Sequence, residues 1–186
     1  TSHGVIEANN VVAATGPFQC PLIPDLIPKN EAITQIHSKD YYNPEQLPEG
    51  AVLVVGAGSS GAQIADELLL AGKSVYLSVG PHDLPPRRYR GRDFVWWLGV
   101  LGKWEAITKD PSMDHVTIAV SGAHGGHTVD FRRLAGQGIT LLGRAKSFKN
   151  NLMHFATDLA KNIANGNAYT LSLLDQADAY VVRNGL

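Results

Sequence analysis

Six residues of the 186-residue chain have types and spacing suited to holding an anion: Gly56-Ala57-Gly58-Ser59-Ser60-Gly61, a G-x-G-x-x-G run. The apolar run Ala51–Val55 stands directly before it, and Ala62, Ile64, Ala65, Leu68 and Leu69 recur at helical spacing directly after it. In that strand-turn-helix setting each glycine has its own task. Gly56 permits the tight turn, Gly58 lets a pyrophosphate come against bare backbone, and Gly61 lets the helix pack close to the strand. The unpaired N–H groups and the positive end of the helix dipole then face the anion, with Ser59 and Ser60 inside the same cradle.

The second strand of such a unit decides which dinucleotide binds. About 20 residues past the first glycine, an Asp or Glu holds the ribose hydroxyls in NAD- or FAD-binding units. Here the region reads Tyr76-Leu77-Ser78-Val79-Gly80, with Ser78 as its polar residue and no carboxylate before Asp83. The next loop carries Arg87, Arg88, Arg90 and Arg92 against the single acid Asp93. A guanidinium binds a ribose 2′-phosphate through two parallel charge-assisted hydrogen bonds, so the cluster points to NADP(H), with Arg87 and Arg88 on the 2′-phosphate. A solvated basic loop, a contact to another domain and a ribose-binding Asp83 stay open beside that reading.

No residue reads as an acid, base or nucleophile. His37 and Tyr41 stand four apart and could share a helix face near the nucleotide. His124, His127 and Asp130 have metal-like spacing, but the glycines among them read as a flexible loop, and no metal is expected. Cys20 has no catalytic neighbour and is read as a buried structural thiol. Phe94, Trp96, Trp97 and Trp104 read as core packing, with a channel or interface as the other option.

The elements that position these groups follow from periodicity. Asn10–Thr15 reads as a parallel strand meeting a turn at Gly16-Pro17, and Pro21–Pro28 as a stiff connector. Ala51–Val55 reads as a strand covered on both faces, followed by the amphipathic helix stopped at Gly72 and a second strand, Ser74–Val79. Gly80–Asp93 is expected to be a surface loop and Phe94–Trp104 a short helix. Further on, Val116–Val120 is expected as a strand, Ser121–Gly126 as a glycine-rich loop, Asp130–Ala135 as a helix and Ile139–Leu142 as a strand. A hairpin should turn at Asn150-Asn151, and two helices should follow over Ala156–Ala164 and Ala168–Val182. The fold class is α/β, a Rossmann-like parallel sheet with flanking helices. The expected organisation is a strand and hinge over 1–28, a dinucleotide-binding domain over 29–138 and a return segment over 139–186.

Composition bounds the remaining possibilities. A net charge of -1 supplies no global attraction to nucleic acid or anionic membrane. The longest apolar stretch, Phe94–Leu101, falls far short of the roughly 20 residues that span a bilayer. A single cysteine forms no internal disulfide and no secretory leader is visible, so a reducing cytoplasm is the expected location. The opening at Thr1, in a polar turn, reads as an internal point of a longer protein.

Taken in order, Val11-Val12-Ala13-Ala14-Thr15-Gly16, the proline connector, His37-Ser38-Lys39-Asp40-Tyr41 and the glycine run resemble the NADPH-binding half of a flavin-containing monooxygenase. More narrowly, they resemble bacterial flavoproteins described as monooxygenases or as linked to potassium or metal-ion transport. The resemblance implies that Ala14, Thr15 and Gly16 form a hinge beside the cofactors, and that an FAD-binding portion lies upstream of Thr1 as this chain's partner. The family signature F-x-G-x-x-x-H-x-x-x-[YWF] is half present: His37 and Tyr41 match, whereas Glu31 and Ile33 replace Phe and Gly. The implied activity is hydride transfer from NADPH to FAD, followed in monooxygenases by oxygen chemistry on a small-molecule substrate, with this chain alone inactive. Another NAD(P)H:flavin reductase is the alternative, as is a non-catalytic NAD(P)(H) sensor acting on a transporter or other partner. Self-association into a homo-oligomer is left open.

Overall fold

A computed structural model describes residues 4–12, 14, 20–28, 33–107 and 116–186 of the chain. Its centre is a parallel sheet of three strands, β1 (Val52–Val55), β2 (Val75–Ser78) and β7 (Thr140–Leu142), in the order β1-β2-β7. Val52 pairs with Val75 and Val55 with Ser78, while Tyr76 pairs with Thr140 on the other side. Parallel neighbours need a crossover, and α1 (Ser59–Leu70) supplies the one between β1 and β2. Between β2 and β7 lie β3 (His82–Asp83), which pairs in parallel with β6 (Thr117–Ile118), and the hairpin β4 (Arg88–Tyr89) and β5 (Arg92–Asp93). Two helices, α2 (Phe94–Val100) and α3 (Phe131–Gly136), occupy the same interval. The chain closes with the hairpin β8 (Ala145–Lys149) and β9 (Leu152–Phe155) and the helix α4 (Leu159–Asn184).

The core lies between the sheet and α1. Ala62, Ala65 and Leu68 recur every third residue and are buried against Val75, Leu77, Val79, Phe131, Leu134 and Ile139. Burying a side chain such as Leu68 contributes about 1.5–3 kcal/mol. Three helices end in the same way. Gly72, Gly102 and Gly138 adopt φ of +77, +66 and +118. The N–H groups of Lys73, Lys103 and Ile139 then donate back to the carbonyls of Leu68, Leu98 and Leu134 at 3.0, 2.8 and 3.1 Å. At the other end, Asp93 accepts from the Val95 N–H to start α2, and Asp130 accepts from the Arg132 and Arg133 N–H groups to start α3.

Several expectations are corrected. Residues 10–12 and 14 hold no strand, because a strand needs a neighbour to pair with and the sheet gives them none; Val11 and Val12 are 87% and 86% exposed. β1 is not covered on both faces, since Val55 is 50% exposed. Gly80–Asp93 is more than a surface loop: it holds the buried His82 and the β4–β5 hairpin, whose turn residues Arg90 and Gly91 both have positive φ. The two expected C-terminal helices are one, 26 residues long. Asn162 and Thr170 donate to the carbonyls of Val79 and Leu84, and Asp178 accepts from Tyr89, so one face of α4 is fastened along its length to the 79–90 segment. That fastening outweighs the weak helix propensity of Gly166 and its asparagine neighbours. β7 lies in the sheet of β1 and β2, so the segment beginning at residue 139 contributes a strand to the same sheet. No helix among the described residues is long and apolar enough to cross a membrane.

Candidate functional site

The glycine run lies where the strand-turn-helix reading put it. At the end of β1 the chain turns at Gly56, whose φ of +99 suits glycine alone, and its N–H donates to the Ser78 carbonyl at 3.1 Å. Ala57 is buried. Gly58 occupies the N-cap of α1 with extended backbone, and no side chain caps the first turn. The hydrogen-bond ladder begins with the Ala62 N–H on the Gly58 carbonyl at 2.9 Å, so Ser59, Ser60 and Gly61 present the N–H groups that precede it. No acidic side chain stands in that turn to repel an anion. A Cβ on Gly61 would run into the Gly56 carbonyl oxygen and lie 3.0 Å from its carbonyl carbon. Bare backbone, an uncapped helix start and a forced glycine together fit a pyrophosphate.

Ser59 has a further role that sequence reasoning missed. Its hydroxyl donates to the Ile118 carbonyl at 2.9 Å and accepts from the Val120 N–H at 3.3 Å. The segment after β6 is thereby tied to the start of α1. It leads into a second glycine cluster, Gly122–Gly126, closed on either side by the isolated bridge between Ser121 and His127, with Gly125 and Gly126 at φ of +80 and +86. That cluster in turn meets Arg87: the Arg87 N–H donates to the Thr128 hydroxyl at 2.9 Å, and a Cβ on Gly126 would sit 2.8 Å from Arg87 Nε. Tandem glycines were visible in the sequence. The partner 59 residues away was not, because nothing local encodes it.

The four arginines do not form one open cluster. Arg87 pairs with Asp93 at 3.0 Å and lies over the Phe94 ring, with its Nε buried and unpartnered. Arg90 pairs with Asp178 at 2.7 Å, and Arg92 lies over Trp96. Hydrogen bonds from the Tyr89 hydroxyl and then from Arg90 hold the Asp178 carboxyl below the usual carboxylate range. Arg88 is exposed on β4. Ser78 is buried; its hydroxyl donates to the Gly143 carbonyl and accepts from the Ala145 N–H, both at 3.0 Å, so it is engaged in joining β2 to the β7–β8 connection. Thr15 and Gly16, expected beside the cofactors, lie outside the described residues, as does Glu31.

The remaining candidates sort by their partners. His37 and Tyr41 do not share a helix face, because only Ser38–Asp40 is helical and the two residues flank that short 3-10 turn in extended conformation. His37 Nδ1 accepts from the Lys39 N–H, whereas the Tyr41 hydroxyl donates to Glu67 on α1 at 2.9 Å. Burial and then the Glu67 carboxylate push the Tyr41 phenol upward. His127 lies 3.8 Å from Asp66, which is also 3.9 Å from Arg133, beside a small pocket that Gln63 and Ser121 help to line. Asp130 caps α3, and the side chain of His124 lies outside the described residues; among the described residues no group of His, Cys, Asp or Glu is placed to hold a metal. Burial raises the Asp83 carboxyl, against the opposing pull of His82 and Lys103. Cys20 is exposed rather than buried, since the proline-rich connector around it contributes nothing to the core. Phe94 and Trp97 are buried as expected, Trp96 packs edge-on against Trp97 and Tyr180, and Trp104 is mostly exposed.

Comparison with known proteins adds partial similarities to this geometry. The pyridine nucleotide-disulphide oxidoreductase family matches residues 1–90. A CzcO-like oxidoreductase of Geobacillus kaustophilus is 49% identical over 105 residues, which is 55% of this chain and 30% of that protein. The CzcO oxidoreductase of Bacillus subtilis is 39% identical over 111 residues, again 55% and 30%. The flavin-containing monooxygenase iboF of Amanita muscaria is 32% identical over 110 residues, 54% of this chain and 21% of the fungal protein. The chain thus spans less than a third of the length of these relatives. No solved structure matches it.

Proposed function

We propose that this chain is the portion of a flavin-containing-monooxygenase-like oxidoreductase that binds NADP(H) and presents it to FAD. The supporting observation is the uncapped start of α1, where Gly58 and the N–H groups of Ser59, Ser60 and Gly61 are backed by a Gly56 carbonyl that leaves no room for a side chain at 61. Bound at this site, NADPH would supply the hydride that FAD takes up.

This chain's own residues bind and orient. The first-turn N–H groups and the helix dipole take the pyrophosphate. Beyond β2, Arg87 and Arg88 take the 2′-phosphate, with Asp93 bracing the Arg87 guanidinium from one side. Ser59 holds the 118–120 segment beside the cradle through its bonds to the Ile118 carbonyl and the Val120 N–H. Thr15 and Gly16 serve as the hinge toward the flavin in this reading. With Cys20 as the single cysteine, the chain carries no C-x-x-C pair for dithiol chemistry.

The test is calorimetric titration of the chain with NADP+ and NAD+, repeated with Arg87→Ala and Arg88→Ala. A charged hydrogen bond contributes about 1.5–3 kcal/mol, so the unaltered chain should prefer NADP+ by at least about tenfold, and each substitution should narrow that preference. Equal affinity for the two nucleotides in the unaltered chain would refute the assignment of the arginines. A full-length protein of this kind should be yellow and should oxidise NADPH in air.

A further inference from the structure

We propose that the second glycine cluster acts as a seat for Arg87, making Gly126 and Thr128 positioning residues for nucleotide selectivity; the inference rests on the reading of Arg87 as a 2′-phosphate ligand. Three contacts fix the arginine. Its backbone N–H donates to the Thr128 hydroxyl at 2.9 Å, its guanidinium pairs with Asp93 at 3.0 Å, and its Nε lies buried, without a hydrogen bond, against the place a Gly126 side chain would fill. A buried Nε with no acceptor is held by packing, and packing of this kind is sensitive to a single added carbon.

Gly126 is constrained twice over. Its φ of +86 disfavours any L side chain, and a Cβ there would stand 2.8 Å from Arg87 Nε and 3.1 Å from its Cζ. A side chain at 126 therefore swings the guanidinium away from Asp93. The loop that carries Gly126 is in turn tied to the cradle, since Ser59 on α1 bonds both Ile118 and Val120 just upstream of it. Phosphate cradle and arginine are thus linked through one loop, so the spacing between pyrophosphate and 2′-phosphate sites depends on Gly126 and Thr128, which need touch neither group.

The experiment measures NADP+ and NAD+ dissociation constants for the unaltered chain, Arg87→Ala, Gly126→Ala, Thr128→Val and Thr128→Ser, with circular dichroism confirming the fold of each. Gly126→Ala and Thr128→Val should weaken NADP+ by about tenfold or more while NAD+ shifts by less than about twofold, since only the 2′-phosphate contact is displaced. Thr128→Ser, which keeps the hydroxyl, should restore NADP+ affinity. If Gly126→Ala does not fold, the Thr128 pair decides alone. A chain that prefers NADP+, loses that preference in Arg87→Ala and keeps it in Gly126→Ala and Thr128→Val would overturn the seat while leaving the Arg87 reading intact. Equal loss of both nucleotides in the Gly126 and Thr128 variants would also overturn it. No NADP+ preference in the unaltered chain would instead remove the Arg87 reading on which it rests.

Discussion

Gly61 and Gly56 are the residues whose chemistry most constrains the site. Gly61→Ala places a methyl group against the Gly56 carbonyl, and either strand or helix start has to move. Overpacking of this kind costs about 1–3 kcal/mol, so we expect a lower melting temperature together with loss of nucleotide binding. Thermal unfolding and titration of the same preparation check both. Asp158 tests a different bond. Its carboxylate accepts from the Arg144 N–H at 3.0 Å where β8 begins, and that backbone hydrogen bond holds its pKa below the ordinary value. A depressed folded-state pKa contributes stability above the unfolded value, about 4, that is lost as pH falls through the folded one. Asp158→Asn should therefore lose less melting temperature than the unaltered chain as pH falls from about 5 to well below about 4, the side on which the depressed pKa lies. The roles of Gly56 and Gly61 were legible because the motif specifies backbone geometry. Those of Ser59 and Ser78 were not, because each hydroxyl is bonded more than fifty residues away.

Among the elements, local signals read well and long-range ones poorly. Asn150-Asn151 announced its hairpin, and both residues adopt the positive φ, 51 and 59, that the two-residue turn requires. Gly72 ended α1 as read. The short pairing of β3 with β6 joins residues more than thirty apart, and no periodicity in four residues reveals it. α4 shows the same limit from the other side: Gly166 lies in the gap between the two expected helices, yet it is the place where α4 passes His82. A Cβ there would strike the His82 imidazole at Nε2 and come within 2.8 Å of Cδ2. Gly→Ala in a helix interior ordinarily stabilises by about 1 kcal/mol. Here the clash, at about 1–3 kcal/mol, should win, so Gly166→Ala should lower stability in denaturant unfolding. In a His82→Ala background the same change should become stabilising, and a lowered stability there would contradict the packing explanation.

At the level of the whole molecule, the α/β class and the parallel βαβ unit followed from sequence, whereas the way the unit is covered did not. AVLVV read as a strand buried on both faces. One face does pack on α1, but on the other the row Leu53, Tyr76 and Thr140 crosses the three strands with Tyr76 38% exposed. Composition signals that a strand is apolar; it does not say which chain supplies the second layer. The proposed site rests on something simpler, a dinucleotide's phosphates held on naked peptide where α1 begins. Gly58→Asp isolates that claim. Its extended backbone admits any residue, and Asp is a favoured N-cap, so the helix should keep or gain stability while a carboxylate takes the anion's place. Titration of both proteins with NADP+ is the measurement. The unaltered chain should show saturable binding of one nucleotide, and Gly58→Asp none, with unchanged circular dichroism. Absence of saturable binding in the unaltered chain, or equal affinity in the two, would contradict the assignment of the site.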